Sequence, residues 1–293
     1  MALYILPFDH RGSFQKMLLE HKNPLTPAEY AQLKYYKGVI WQGFKKTAEK
    51  RGVSDLAILV DEEFGLEIHE EAKAMGVRNL LSMEKSGKDI FEFEYGDWQE
   101  HLKKIRPTYA KALIRFTVGA DNALQHSRLK ELQAFCATEQ IGFLIEPLIQ
   151  PSEADLATCG GDKKRFDVEL RPERFAEAVA EMHAAGVRPD VWKIEGTETK
   201  AAMEICAQAV MTNGKSGVQI VILGRGESME KVEHWLSVSA PVSGVTGFAV
   251  GRTIFADALI KLRNGAYTEE QAVAEIAANY EHFIAIFEQG RAV

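Results

Sequence analysis

The chain of 293 residues has few cysteines, no long hydrophobic run and no excess of positive charge. Its three cysteines, Cys136, Cys159 and Cys206, are far apart and form no Cys-x-x-Cys pair, so neither a disulfide framework nor a zinc site is expected. Sparse thiols are typical of reduced cytoplasmic proteins, and we predict that location. No apolar run approaches the roughly 18 residues of a spanning helix, and the formal charge of -7 argues against nucleic-acid binding.

Short β-rich runs alternate with longer amphipathic segments along the chain. The predicted strands are residues 3–8, 56–60, 79–83, 111–116, 141–145, 191–194, 218–223 and 246–250. The predicted helices are residues 27–50, 67–75, 123–138, 172–185, 200–211, 229–237 and 268–287. The alternation predicts a (β/α)8 TIM barrel that occupies residues 1–293 as a single domain. The alternative is a doubly wound sheet, but no Gly-x-Gly-x-x-Gly motif follows the first strand. The irregular segment 150–167 is interpreted as a loop over the barrel mouth.

Lys193 stands in the middle of the sixth predicted strand. An unpaired ammonium is costly inside a strand, and an amine kept neutral there is a nucleophile toward carbonyl groups. Strand alternation places Val191, Lys193 and Glu195 on one face. If that face is inward, Lys193 is a candidate for Schiff-base chemistry. An outward lysine that lies along a neighbouring helix is the alternative.

Further polar residues fall at or near the carboxyl ends of the predicted strands, where the active sites of TIM barrels lie. They are Asp9 and Arg11 after the first strand, Lys85 after the third, Lys111 and Arg115 on the fourth, Glu146 after the fifth, Gly224 and Arg225 after the seventh, and Gly251 and Arg252 after the eighth. The last two pairs form Gly-Arg turns, which predict a phosphate site. The alternatives are a helix cap for Asp9, a salt bridge low in the barrel for Lys111, and surface charges for Arg225 and Arg252.

Several of these motifs together resemble a known family, the class I aldolases of the tagatose-1,6-bisphosphate aldolase type. The resemblance is greatest to the aldolase-like domain fused behind bacterial 5-dehydro-2-deoxygluconokinases. The matching segments are Phe8-Asp9-His10-Arg11-Gly12, Glu84-Lys85-Ser86-Gly87, Lys111-Ala112-Leu113-Ile114, Leu144-Ile145-Glu146-Pro147-Leu148, Asp190-Val191-Trp192-Lys193-Ile194-Glu195 and Gly247-Phe248-Ala249-Val250-Gly251-Arg252. They follow one another in the family's order.

This resemblance implies that Lys193 forms the Schiff base, with Asp9, Lys85, Lys111 and Glu146 around it. It also implies that Arg252 and Gly251 hold a phosphate. The sequence departs from the bisphosphate aldolases in Gly224-Arg225-Gly226 and in Arg115-Phe116, and both departures add positive charge. The extra charge favours a substrate that carries a carboxylate, which Arg115 or Arg11 would pair.

The implied reaction is the cleavage of 6-phospho-5-dehydro-2-deoxygluconate to dihydroxyacetone phosphate and malonate semialdehyde. It requires no metal and no other cofactor. The alternatives are an aldolase for another ketose phosphate (tagatose-1,6-bisphosphate or a sulfo-sugar phosphate), an isomerase or epimerase on the same barrel, and a phosphosugar-binding module without turnover. The only partner implied is the small-molecule substrate. A homo-oligomer is compatible with the sequence, which carries no signal for the number of subunits.

Overall fold

A computed structural model describes residues 2–20 and 24–292, and its centre is a closed barrel of eight parallel strands. The strands are β1 (Leu3–Pro7), β2 (Leu56–Val60), β3 (Arg78–Ser82), β4 (Tyr109–Phe116), β5 (Gly142–Ile149), β6 (Val191–Glu195), β7 (Gln219–Leu223) and β8 (Val245–Ala249). Each strand pairs in parallel with the next, and β8 pairs with β1. The predicted TIM barrel is therefore confirmed. Of the predicted range 1–293, residues 1, 21–23 and 293 lie outside the described residues.

The strands are connected by helices that cover the outside of the barrel. They are α1 (Gly12–Leu19), α2 (Pro27–Arg51), α3 (Glu62–Ala74), α4 (Trp98–Ile105), α5 (Ala123–Glu139), α6 (Glu153–Thr158), α7 (Lys163–Glu169), α8 (Arg171–Ala184), α9 (Lys200–Met211), α10 (Met229–Ser239), α11 (Arg252–Arg263) and α12 (Glu269–Arg291). Among the described residues, none of these helices is both long and apolar enough to cross a membrane.

The interpretation of residues 150–167 as a loop was wrong in its local structure, because the segment contains α6 and part of α7. Both helices are too short for an apolar period to be visible in the sequence, and capping stabilises them instead. Ser152 and Asp155 form a capping box at α6, and the Asp162 side chain accepts hydrogen bonds from the first turn of α7. The segment nevertheless lies at the barrel mouth, as predicted, since Lys163 and Phe166 line the cavity there.

The lower part of the barrel interior is filled by apolar side chains. This layer contains Leu3, Ile5, Ala57, Leu59, Leu80, Leu144, Val191, Val221 and Ala249, all of them buried. Inward positions recur every second residue along a strand. On β6 the inward residue after Val191 is Lys193, and on β5 the one after Leu144 is Glu146. The change from apolar to ionisable residues along the inward faces therefore positions a polar site above this layer.

Barrel closure depends on a close approach of β8 to β1. Gly247 lies in register with Leu3, and a Cβ atom at Gly247 would stand 1.9 Å from the Leu3 carbonyl oxygen. Because that oxygen belongs to the backbone of the neighbouring strand, only movement of the strand itself would relieve the clash. We expect Gly247→Ala to lower the free energy of unfolding by about 1–3 kcal/mol.

Gly38→Ala is the matched control, because no described atom lies within 4 Å of its Cβ position in α2. Alanine in a helix interior is expected to raise stability there by about 0.5–1 kcal/mol. The measurement is the urea midpoint of both variants and of the wild-type protein. Equal midpoints for the two variants would contradict the proposed role of Gly247 in closing the barrel.

Candidate active site

Five ionisable side chains meet inside the upper barrel, directly above the apolar layer. The Lys193 Nζ donates a hydrogen bond to Glu146 Oε2 at 3.0 Å, and Lys193 is 3% exposed. The Lys111 Nζ donates to Asp9 Oδ2 at 2.9 Å and to Glu84 Oε1 at 2.6 Å, and it lies 3.1 Å from Glu146 Oε2. Glu146 thus contacts both lysines. We call these five residues the lysine–carboxylate cluster.

The charges of the cluster fix the state of Lys111. Burial acts to lower the pKa of Lys111, but Asp9, Glu146 and Glu84 outweigh burial and raise it well above the usual value. Lys111 is therefore a permanent cation at neutral pH. For Glu146 the balance is reversed, because Lys111 and Lys193 overcome burial and lower its pKa. Glu146 is consequently ionised and able to accept a proton beside the Lys193 amine.

The other two carboxylates of the cluster respond differently to the same surroundings. The pKa of Asp9 is lowered, because Lys111, His10 and Lys193 together outweigh the effect of burial, which acts to raise it. The pKa of Glu84 is raised by burial, to which the charge of Asp9 adds, although Lys111 acts in the opposite direction. Asp9 therefore remains an anion, whereas Glu84 is the carboxylate of the cluster that takes up a proton most readily.

A cavity of about 540 Å³ opens above the cluster at the barrel mouth. Nine lysine and arginine side chains and five aspartate and glutamate side chains line it, although the whole chain has a formal charge of -7. Such a local excess of positive charge attracts anions. The lining cations are Arg11, Lys85, Lys88, Lys111, Arg115, Lys163, Lys193, Arg225 and Arg252.

Two of the predicted arginines are already paired with carboxylates. Arg11 forms an ion pair with Glu94 and donates to the Glu84 carbonyl oxygen at 2.5 Å. The Arg225 guanidinium lies 3.0 Å from Glu195 Oε1 and 2.9 Å from Asp167 Oδ2. These contacts use part of the donors of each guanidinium and neutralise its charge, so substrate binding by the Arg11 and Arg225 side chains stays a prediction.

The remaining predicted cations face the cavity without a carboxylate partner. Arg115 is half-buried and donates one hydrogen bond to the Lys88 carbonyl oxygen at 2.5 Å. Arg252 donates to the Arg225 carbonyl oxygen at 2.7 Å, and Lys85 is exposed at the mouth. Among the described residues, none of these three side chains forms an ion pair. Lys85 is thus set apart from the lysine–carboxylate cluster.

The two predicted Gly-Arg turns lie side by side at the ends of β7 and β8. A Cβ atom at Gly251 would stand 2.2 Å from the Pro7 carbonyl oxygen, so glycine allows β8 to approach β1 there. α11 begins at Arg252, immediately after Gly251, and no described side chain caps its first turn. An uncapped helix N-terminus presents backbone N–H groups and favours a bound anion. Gly224 at the end of β7 is buried beside it.

Glu84 was not among the predicted site residues, and Lys85 was named in its place. The inward face of β3 carries Leu80 and Ser82, so the next inward position is Glu84 and not Lys85. Alternation on the third strand could therefore have found this carboxylate. Among the described residues, no group of three or more His, Cys, Asp or Glu side chains has the arrangement of a metal site.

Comparison with solved structures shows the same fold in proteins of distant sequence. Cgl0159 from Corynebacterium glutamicum is 17% identical with a TM-score of 0.56, and the match covers 96% of this chain and 86% of that one. A fructose-bisphosphate aldolase from Plasmodium falciparum is 13% identical with a TM-score of 0.64, covering 98% and 90%. No curated protein matches the sequence. The family model described as "Uncharacterized protein conserved in bacteria (DUF2090)" matches residues 1–291, and the chain therefore belongs to the DUF2090 family.

Proposed function

We propose that this protein is a class I aldolase in which Lys193 forms a Schiff base with a phosphorylated keto-acid. One observation carries the proposal. The Lys193 amine is buried in the barrel, contacts an ionised carboxylate and opens onto a cavity rich in cations. A lysine so placed, with a proton acceptor at 3.0 Å, has the geometry of an imine-forming nucleophile. The aldolase named among the proteins of similar fold is consistent with this chemistry.

In the proposed reaction, the Lys193 amine attacks the substrate ketone to give a carbinolamine, which loses water to become an iminium. Glu146 then takes the proton of the β-hydroxyl, and the bond between the α and β carbons breaks as the electron pair moves to the iminium. An aldehyde departs, and the remaining enamine is protonated and hydrolysed to a ketone phosphate with release of Lys193. Lys111 stabilises the carbinolamine oxygen as a fixed cation.

Glu146 is preferred to Asp9 as the base because of its contacts. Glu146 is hydrogen-bonded to Lys193 itself, whereas the contact of Asp9 is with Lys111. A base must lie within hydrogen-bond reach of the proton it removes, and the substrate carbon is held at Lys193. Asp9 then acts by keeping Lys111 charged and in place.

The phosphate is assigned to the turns after β7 and β8. Arg252, the N-terminus of α11 and the glycine turns at Gly224 and Gly251 supply the donors. Arg225 contributes its backbone to this subsite, because its guanidinium is occupied by Glu195 and Asp167 while its carbonyl oxygen fixes Arg252.

A second anionic group of the substrate is assigned to Arg115 and Lys85. β4 and β8 stand opposite each other in an eight-stranded barrel, so Arg115 and Arg252 bracket the cavity on either side of Lys193. Two cationic side chains on opposite sides of the cavity suit a substrate with a phosphate at one end and a carboxylate at the other. The best candidate is 6-phospho-5-dehydro-2-deoxygluconate, cleaved to dihydroxyacetone phosphate and malonate semialdehyde. A binding module without turnover would not need the lysine–carboxylate cluster, whose burial costs stability.

Replacement of Lys193 tests the imine directly. In wild-type protein, borohydride reduction with dihydroxyacetone phosphate should leave a covalent adduct on the peptide that contains Lys193, detected by mass spectrometry. Lys193→Met should lose the adduct and lower kcat by about 10³-fold or more, since no other amine can replace it.

Lys88→Met is the control and should keep both adduct and turnover, because it removes a cavity lysine that is exposed and lies 3.5 Å from Glu92. An adduct at another lysine, or substantial turnover by Lys193→Met, would disprove the assignment of the nucleophile.

Arg252 is tested by comparing substrates with and without the phosphate. Arg252→Ala should raise KM for the phosphorylated substrate by about 10–100-fold, because a charge-assisted hydrogen bond is lost. The KM for an unphosphorylated analogue should change far less. If both KM values rise equally, the phosphate does not bind at Arg252.

Arg115 is tested in the reciprocal way. Arg115→Ala should raise KM by about 10-fold or more for the substrate with a carboxylate and leave KM nearly unchanged when an uncharged group replaces the carboxylate. Dephosphorylation of the substrate should not abolish the effect. Equal KM increases with both ligands would place the carboxylate elsewhere.

A further inference from the structure

Glu84 is the member of the lysine–carboxylate cluster that the proposed reaction does not use. Glu84 lies two residues beyond the end of β3, at the next inward position, and is 8% exposed. One carboxylate oxygen accepts the 2.6 Å hydrogen bond from Lys111, and the other accepts from the Leu113 backbone N–H at 3.2 Å. Both oxygens of the Glu84 carboxylate are therefore held in place by hydrogen bonds.

Charged residues from several elements of the barrel surround Glu84. From β4 it faces Lys111, and from the turn after β1 it faces Asp9. Arg11 approaches from the start of α1 but donates to the Glu84 backbone oxygen. Farther along the cluster are Glu146 on β5 and, beyond it, Lys193 on β6.

The charge of this cluster does not balance. Asp9, Glu84 and Glu146 carry three negative charges when ionised, and Lys111 and Lys193 carry at most two positive charges. When Lys193 loses its proton to become a nucleophile, the surplus of negative charge grows. A buried cluster with such a surplus binds protons more tightly, which opposes that loss.

We propose that Glu84 is a positioning residue whose charge, transmitted through Lys111 and Glu146, sets the pH at which the Lys193 amine becomes reactive. The connection is a continuous chain of contacts from Glu84 to Lys111, to Glu146 and to Lys193. Glu84 does not touch the substrate in this scheme. The proposal rests on the proposed Schiff-base function, but its central claim concerns the lysine itself.

The raised pKa of Glu84, which follows from its burial and from the charge of Asp9, supports this role. A carboxylate that takes up a proton relieves the surplus charge, and one that stays ionised maintains it. Of the three carboxylates of the cluster, Glu84 is the one whose pKa is raised, so its charge is the first to be removed as the pH falls.

The test measures the reactivity of Lys193 without relying on turnover. Reductive methylation with formaldehyde and borohydride is run across a range of pH, and the modified Lys193 peptide is quantified by mass spectrometry. Glu84→Gln keeps the shape but removes the charge, and we expect the labelling curve to move toward lower pH by about one unit. Glu84→Asp keeps the charge with a shorter reach, so its curve should stay near that of the wild-type protein.

Glu92→Gln is the matched control, because Glu92 is a half-exposed carboxylate on the same loop, 3.5 Å from the Lys88 ammonium. Its labelling curve should coincide with that of the wild-type protein, since exposed charges are screened by salt. Melting temperatures of all variants establish that each is folded at the pH values used.

The experiment distinguishes the role of Glu84 from the aldolase function of Lys193. If Glu84→Gln is folded and its curve coincides with that of the wild-type protein, the role of Glu84 is disproved. If the curve moves but dihydroxyacetone phosphate leaves no adduct on Lys193, the aldolase function fails while the control of Lys193 by Glu84 stands. A shifted curve together with an adduct, and an equal shift in the acid limb of kcat/KM, supports both.

Discussion

The ammonium of Lys111 is the constraint on which the upper barrel depends. It lies within 3.1 Å of three carboxylates that would otherwise repel one another away from water. Removing one partner of a buried ion pair typically costs about 3–5 kcal/mol, because the other charge is left uncompensated. Without Lys111, Asp9, Glu84 and Glu146 would be expected to take up protons, and the site would lose the ionised base beside Lys193. The same cation that permits the cluster to fold therefore also keeps Glu146 ionised beside Lys193, which the proposed reaction requires.

The lysine–carboxylate cluster has this composition because of the strand register below it. Lys193 follows Val191 by two residues on β6, and Glu146 follows Leu144 by two residues on β5. Leu144 and Val191 are themselves in register, so the apolar layer and the ionisable layer above it are aligned across the strands. A slip of one residue would turn the ionisable side chains outward and apolar ones into the site. The strand register that barrel closure at Gly247 maintains therefore also sets the geometry of the cluster.

The sequence predicts this fold well because each strand is a short apolar run in a regular alternation. All eight strands were found, and five of the seven predicted helices agree with the structure to within two residues at each end. Of the two exceptions, the helix predicted for residues 67–75 begins at Glu62, and the helix predicted for residues 268–287 continues to Arg291. The helices α4, α6, α7 and α11 were not predicted. Capping stabilises the short helices α6 and α7, whereas α11 starts directly from a glycine turn.

The site is harder to predict than the fold because pairing between distant residues decides which charges are available. Lys111, Glu146, Asp9 and Lys193 follow from their strand positions, and alternation would have added Glu84. The sequence does not show that Glu195 and Asp167 occupy Arg225, or that Glu94 occupies Arg11. Those partners are far apart along the chain, or belong to helices that were not predicted.

This pairing divides the cations of the cavity into two groups with different uses. Arg225 joins Glu195 on β6 to Asp167 on α7, so it holds the wall of the cavity and cannot also offer its full set of donors to a ligand. Arg171 completes that contact from α8, 3.2 Å from Asp167. Arg252 and Arg115 are bound only to backbone carbonyl oxygens, which fix their direction and leave their charge unneutralised. Because an anion is attracted by uncompensated charge, we propose that the carbonyl-bound arginines hold the two anionic ends of the substrate and that the carboxylate-bound ones shape the cavity around it.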